Sequence, residues 1–280
     1  MAPRGIIANS FPKSGTHILT EFLSIIGYKP SDLHLSRSLL VYGPRNIFRN
    51  IKVHSRLEKD TEKGFHLDLE NSTRKANESW LRKHVNSTLI SNHYCQAHLP
   101  FTQKLEDFLI SNNYKMLYIH RNPLDVLVSL KNYILKKKNY PNHKLISNCK
   151  NDDERFLILI EGLKTINNAN YMAPFFKKYS RSISWSSSNW ACSVSFENII
   201  GQKGGGSNKL QKDAIIKMLS YLDRGSEALD MIQSKIYNPK SATFHKGSAN
   251  QWQKELSPKI IELCIEKMKI AHIEYKSFLE

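Results

Sequence analysis

Acidic residues are scarce in this chain. Its 280 residues carry 25 Asp and Glu against 41 Lys and Arg, a formal net charge of +16 at pH 7. Such an excess implies an anionic partner: nucleic acid, an anionic surface or a polyanionic small molecule. Charge by itself does not choose among them. Long apolar runs are also missing. No stretch approaches the roughly 20 apolar residues of a membrane-spanning helix, so none is expected. The start, Met1-Ala2-Pro3-Arg4, lacks the apolar core of a signal peptide, and a cytoplasmic location is the expectation. Cysteine is limited to Cys95, Cys149, Cys192 and Cys264, with no C-x-x-C pair, which argues against a zinc knuckle and a thioredoxin-like motif. H-E-x-x-H and the EF-hand loop are absent too, and no metal site is expected.

What is present is the pattern of an α/β protein. Gly5-Ile6-Ile7-Ala8-Asn9 reads as a buried strand, and from Thr16 the apolar residues Ile18, Leu19, Phe22, Leu23 and Ile26 recur at helical spacing until Gly27. Lys115 to His120 reads as a second buried strand, fed by a short helix through Leu105, Phe108 and Leu109. Asn122-Pro123 then opens another helix, Pro suiting its first turn. One helix is expected over Asp152–Lys178, acidic at its start and basic at its end. A strand is expected over Ala191–Phe196, a helix over Leu210–Leu222 and a long amphipathic helix over Pro258–Leu279. Residues 34 to 88 are polar and predict loops and short helices. Strands alternating with helices argue for a mainly parallel sheet covered on both faces, in a single domain spanning 1–280.

The chemistry concentrates in Pro12-Lys13-Ser14-Gly15-Thr16, between a strand and a helix. A helix N-terminus offers unpaired N–H groups and the positive end of the dipole to an anionic oxygen. Lys13 adds a full charge, Ser14 and Thr16 add hydroxyl donors, and Gly15 permits close backbone approach. This is not a Walker A loop, which needs a glycine directly before its lysine; Pro12 stands there instead.

The order Pro-Lys-Ser-Gly-Thr after a strand resembles the 5′-phosphosulfate loop of sulfotransferases that use 3′-phosphoadenosine 5′-phosphosulfate (PAPS). Two later segments carry the same resemblance. His120-Arg121-Asn122-Pro123-Leu124-Asp125-Val126-Leu127-Val128-Ser129 is similar to that family's 3′-phosphate segment, which implies Arg121 and Ser129 as phosphate ligands. Phe244-His245-Lys246-Gly247, followed by Trp252, resembles the late basic loop, which implies Lys246 and Gly247 at the same phosphate. Tyr94-Cys95-Gln96-Ala97-His98-Leu99-Pro100 resembles the segment holding the catalytic histidine, which implies His98 as general base.

The resemblance implies a P-loop-like three-layer sandwich and an in-line displacement that moves a sulfuryl group from PAPS to a hydroxyl or amine. Lys13 would stabilise the leaving oxygen of adenosine 3′,5′-bisphosphate (PAP), and Ser14, Gly15, Thr16 and His17 would hold the 5′-phosphosulfate. His17 stands where better-known members have a threonine, Ile18 where they have an adenine-stacking tryptophan, and His245 in place of an arginine. Phe196 is the substitute aromatic face for adenine. The implied partner is a small-molecule or glycan acceptor, with no nucleic acid; oligomeric state is not encoded in any motif. Tyr133, Tyr140, Trp80 and Phe65 are aromatic residues available to an acceptor pocket, core packing being the simpler reading of each. Two alternatives stand: a Mg-dependent nucleotide-binding kinase-like enzyme, from the loop logic, and a basic nucleic-acid-binding protein without catalysis, from the charge.

Overall fold

The computed structural model describes residues 3–35, 65–69, 72–76, 78–140, 142–163, 172–238 and 248–279. The expected first unit forms as read: strand β1 (Gly5–Ser10) is buried throughout and leads through a tight loop into helix α1 (Thr16–Ile25). Gly27, at φ +90°, ends the helix with the Tyr28 N–H bonded to the Leu23 carbonyl (2.9 Å). Strand β2 (Lys29–Leu35) follows, then a two-stranded antiparallel hairpin of β3 (Phe65–Leu69) and β4 (Ser72–Ala76), and helix α2 (Glu78–Asn86). The polar 34–88 region therefore contains a hairpin as well as a helix. Strand β5 (His93–Ala97), helix α3 (Gln103–Ser111), strand β6 (Tyr114–His120) and helix α4 (Pro123–Lys136) complete the first half.

The second half runs through α5 (His143–Ser147), α6 (Asp152–Glu161), α7 (Phe175–Ile183), β7 (Cys192–Ser195), α8 (Phe196–Ile199), α9 (Asn208–Tyr221), α10 (Leu229–Lys235), α11 (Trp252–Glu255) and α12 (Pro258–Ile270). Two expected helices are shorter than read. Asp152–Lys178 breaks at Gly162, whose φ of +74° and approach to the Met172 carbonyl, 2.3 Å from where a Cβ would stand, no other residue fits. Leu163 then pairs with Met172 in a short bridge. The last helix stops at Ile270, where His272 turns to φ +52° and the Ile273 N–H caps back to Met268 (2.9 Å).

The main sheet has strand order β2-β5-β1-β6-β7, every pair parallel. Alternation along β1 feeds two cores. Ile7 packs with Cys95, Met116 and Tyr118 against α2 and α3, while Ile6 and Ala8 pack with Leu117, Ile119 and Val194 against α1, α9 and α10. These are the three layers of an α/β sandwich. A third cluster joins α4, α6, α7, α11 and α12. Because the strands are parallel, their C-terminal ends, Ser10, Ala97, His120 and Ser195, share one edge, where ligands of open α/β sheets bind. Among the described residues no helix is long and apolar enough to cross a membrane.

Candidate active site at the C-terminal edge of the sheet

The loop after β1 is shaped for an anion. Lys13 adopts φ +74° and Gly15 φ +102°, and Gly15 caps α1 without a side-chain bond, so the first-turn N–H groups have no side-chain cap. A Cβ on Gly15 would stand 2.7 Å from the Phe196 ring. Ser14 is fully buried, and its Oγ has no hydrogen-bond partner. Thr16 Oγ1 lies 2.5 Å from Ser10 Oγ.

Positive charge converges on this loop. Arg121, at the end of β6, is buried, with Nη2 donating to the Ser248 carbonyl (2.9 Å), Nη1 reaching Lys13 O at 3.5 Å, and Nε buried without a partner. Burial lowers its pKa, while Asp125 and Glu197 oppose the shift. Lys13 is pushed down to about 8 by burial and by the Arg121 and Lys137 charges, and its Nζ lies 3.9 Å from the centre of the Tyr133 ring. His17 is held down to about 4 by burial, then by Lys13 and Arg121, so it is neutral at pH 7. Unpartnered buried donors beside two cations are what a polyanionic ligand would satisfy.

His98 follows β5 at the same edge. Its Nδ1 lies 2.8 Å from the Ser10 carbonyl, an acceptor only, so Nδ1 carries the proton and Nε2 is the basic nitrogen. The neighbouring Leu99 is locked by Asn9, which accepts from the Leu99 N–H (2.8 Å) and donates to its carbonyl (3.2 Å), while Trp185 Nε1 donates to the same carbonyl (2.9 Å).

Lys13, Ser14, Gly15, Thr16, His17, Arg121 and His98 thus all lie at one edge of the sheet. Ser129 is half-buried on α4, one turn beyond Asp125 on the same face. Lys246 and Gly247, with Phe244 and His245, lie outside the described residues; Ser248, immediately after them, is the residue whose carbonyl Arg121 holds. One expectation needs correction. Phe196 is only 2% exposed, with the Arg121 guanidinium 4.3 Å over its ring, so it supports Gly15 and Arg121 rather than presenting an open face to adenine. Ile18, standing in place of the family's tryptophan, packs into the core beside α1. Tyr133 stands at the site, braced edge-on by Tyr140 (5.4 Å). The side chains of Trp80 and Phe65 lie outside the described set.

Sequence reasoning missed three supports. Asp125 accepts from the Asn250 and Trp252 N–H groups, Glu197 Oε1 accepts from the Asn122 N–H (2.9 Å), and Tyr179 donates to the Arg121 carbonyl (2.6 Å). Asp125 lies within the His120–Ser129 segment already singled out and Glu197 follows Phe196, which was the available signal.

Residues 3–270 match the sulfotransferase domain family. The chain belongs to that family. Its members transfer a sulfuryl group from PAPS to small-molecule acceptors, so the kinase-like reading and that of a protein without catalysis fall away. Among solved structures, this sulfotransferase is similar to mouse sulfotransferase SULT7A1 complexed with PAP, at 15% identity and a TM-score of 0.59, covering 98% of this chain and 87% of that one. It is also similar to retinol dehydratase in complex with androsterone and inactive cofactor PAP, at 13% identity and a TM-score of 0.56, covering 99% and 82%. At these identities the likeness is one of fold. No curated protein sequence matches the chain significantly.

Proposed function

We propose that the whole chain, 1–280, is one catalytic unit that transfers a sulfuryl group from PAPS to a hydroxyl or amine, with His98 as general base. The observation that carries this reading is the His98 Nδ1–Ser10 carbonyl bond, which turns the basic Nε2 into a fixed group beside the anion loop. Bound PAPS would supply the activated sulfur and a phosphate leaving group in line with the attacking oxygen. Ser14 Oγ, the N–H groups from Ser14 to His17 and the Lys13 ammonium would hold the 5′-phosphosulfate oxygens. Arg121 and Ser129, with Lys246 and Gly247, would hold the 3′-phosphate. His98 Nε2 would take the acceptor proton as its oxygen or nitrogen attacks, and Lys13 would stabilise charge on the departing phosphate oxygen.

The structural relatives carry PAP in crystals, which supports the same ligand here. The +16 charge favours approach of a polyanionic donor. All four cysteines stand as free thiols, in keeping with a reducing, cytoplasmic setting. The test is calorimetric titration of PAP into wild type and Arg121→Ala, without magnesium and with ATP as control. Tight binding by wild type, lost in Arg121→Ala and unmatched by ATP, is expected. No binding by wild type would overturn the reading.

A further inference from the structure

His98 has a second histidine against it. His34 lies near the end of β2, opposite Gln96 of β5, and the β2–β5 register shifts between Pro30 and His34. Such an irregularity re-aims the side chains that follow it and is common beside active sites. Here it leaves the His34 ring edge-to-face with the His98 ring, centroids 5.7 Å apart at 63°. His34 is thus the cross-strand partner of Gln96, and His98 stands two residues beyond Gln96, on the same side of the chain in an extended strand. A Gln96 side-chain bond holds His34 in turn, while the adjacent Leu35 carbonyl accepts the His98 N–H at 3.0 Å. The end of β2 therefore grips His98 twice, once through backbone and once through a ring.

We propose that His34 is a positioning residue for His98, its ring holding the neighbouring imidazole in the orientation that keeps the proton on Nδ1 and Nε2 toward the acceptor. The proposal rests on His98 being the base. Burial holds the His34 pKa down to about 4, against the opposing Gln96 bond, so His34 is neutral at working pH. That neutrality matters. When His98 becomes imidazolium after accepting a proton, a charged neighbour at this distance would oppose it, whereas a neutral ring does not.

The first arm of the test needs no acceptor. Protein labelled with ¹⁵N-histidine is titrated by NMR, and the His98 ring signals are assigned by their loss in His98→Gln. Wild type should show the Nδ1–H tautomer. His34→Phe, which keeps a neutral ring, should retain both tautomer and midpoint, while His34→Ala should mix the two tautomers. His34→Lys should move the His98 midpoint down by roughly one pH unit or more, since a like charge disfavours imidazolium. Calorimetry with PAP checks that each variant is folded. If His98 titrates identically in wild type, His34→Ala and His34→Lys, the proposal is overturned. Turnover retained by His98→Gln would instead remove the base, and with it the purpose of the His34–His98 contact, even if the NMR coupling stands.

Discussion

The Asp125 carboxylate accepts the main-chain N–H of Trp252 at 3.0 Å, across 127 residues of sequence. Its other oxygen accepts the Asn250 N–H (2.8 Å) and lies 3.5 Å from Arg121 Nη2. One buried carboxylate thereby ties the stretch that follows the late basic loop to the arginine at the end of β6. Asp125→Asn keeps the shape but puts an amide N–H against a backbone N–H. A hydrogen bond to a charged group is worth about 1.5–3 kcal/mol, so a thermal melt should show a loss of that order. PAP affinity should fall with it. A melt and affinity equal to wild type would show that the tie carries no weight.

Gly15→Ala meets two obstacles, a φ of +102° and a Phe196 carbon 2.7 Å from the new methyl. PAP binding should be lost. Adding Phe196→Leu relieves the contact but not the backbone, and it removes the ring beneath Arg121, so the double variant should recover little. Full recovery would mean that space alone makes Gly15 necessary.

His98→Gln should lower turnover about 10²–10⁴-fold, the usual contribution of a general base, and leave PAP affinity nearly unchanged. Parallel losses of turnover and PAP binding would point to a structural role.

Lys13 gives a proton-linkage prediction. Its pKa of about 8 in the free protein should rise when a polyanion binds, because the bound charge favours the ammonium form. Binding above pH 8 must therefore take up a proton, and PAP affinity should weaken as pH rises through that region. Calorimetry at pH 9 in two buffers of different ionisation enthalpy reads the uptake. Lys13→Met should abolish it.

Acid should destabilise the fold through three half-buried histidines. His17, His34 and His120 are each held down to about 4 by burial, against an unfolded value of 6.5. Between those values the unfolded chain binds more protons than the folded one, so stability is complete above about pH 6.5 and falls as pH drops toward 4. Denaturant melts across that window should show the decline. His120→Asn should flatten the slope by about a third.

Much of this protein follows from local sequence. The strand–loop–helix of residues 5–25 and that of 115–136 form as read, because their apolar periodicity, Gly15, Gly27 and Pro123 act over a few residues. The anion loop was legible for the same reason. Strands β2 and β5 were not. Lys29–Leu35 is polar because it lies at an edge with one partner, and His93–Ala97 is only five residues long, so neither shows a strand period. The break at Gly162 depends on the Met172 carbonyl, ten residues away.

The site divides the same way. Residue types and order pointed to Lys13, Arg121 and His98 one at a time, since each sits in a short segment with its own chemistry. Only the parallel sheet brings them to one edge. Only tertiary packing decided that Phe196 is a buried prop under Arg121, that Asp125 holds Trp252, that Tyr133 covers Lys13 and that His34 meets His98. Those contacts span strands and helices distant in sequence, and their geometry is set by register and burial, which no single segment encodes.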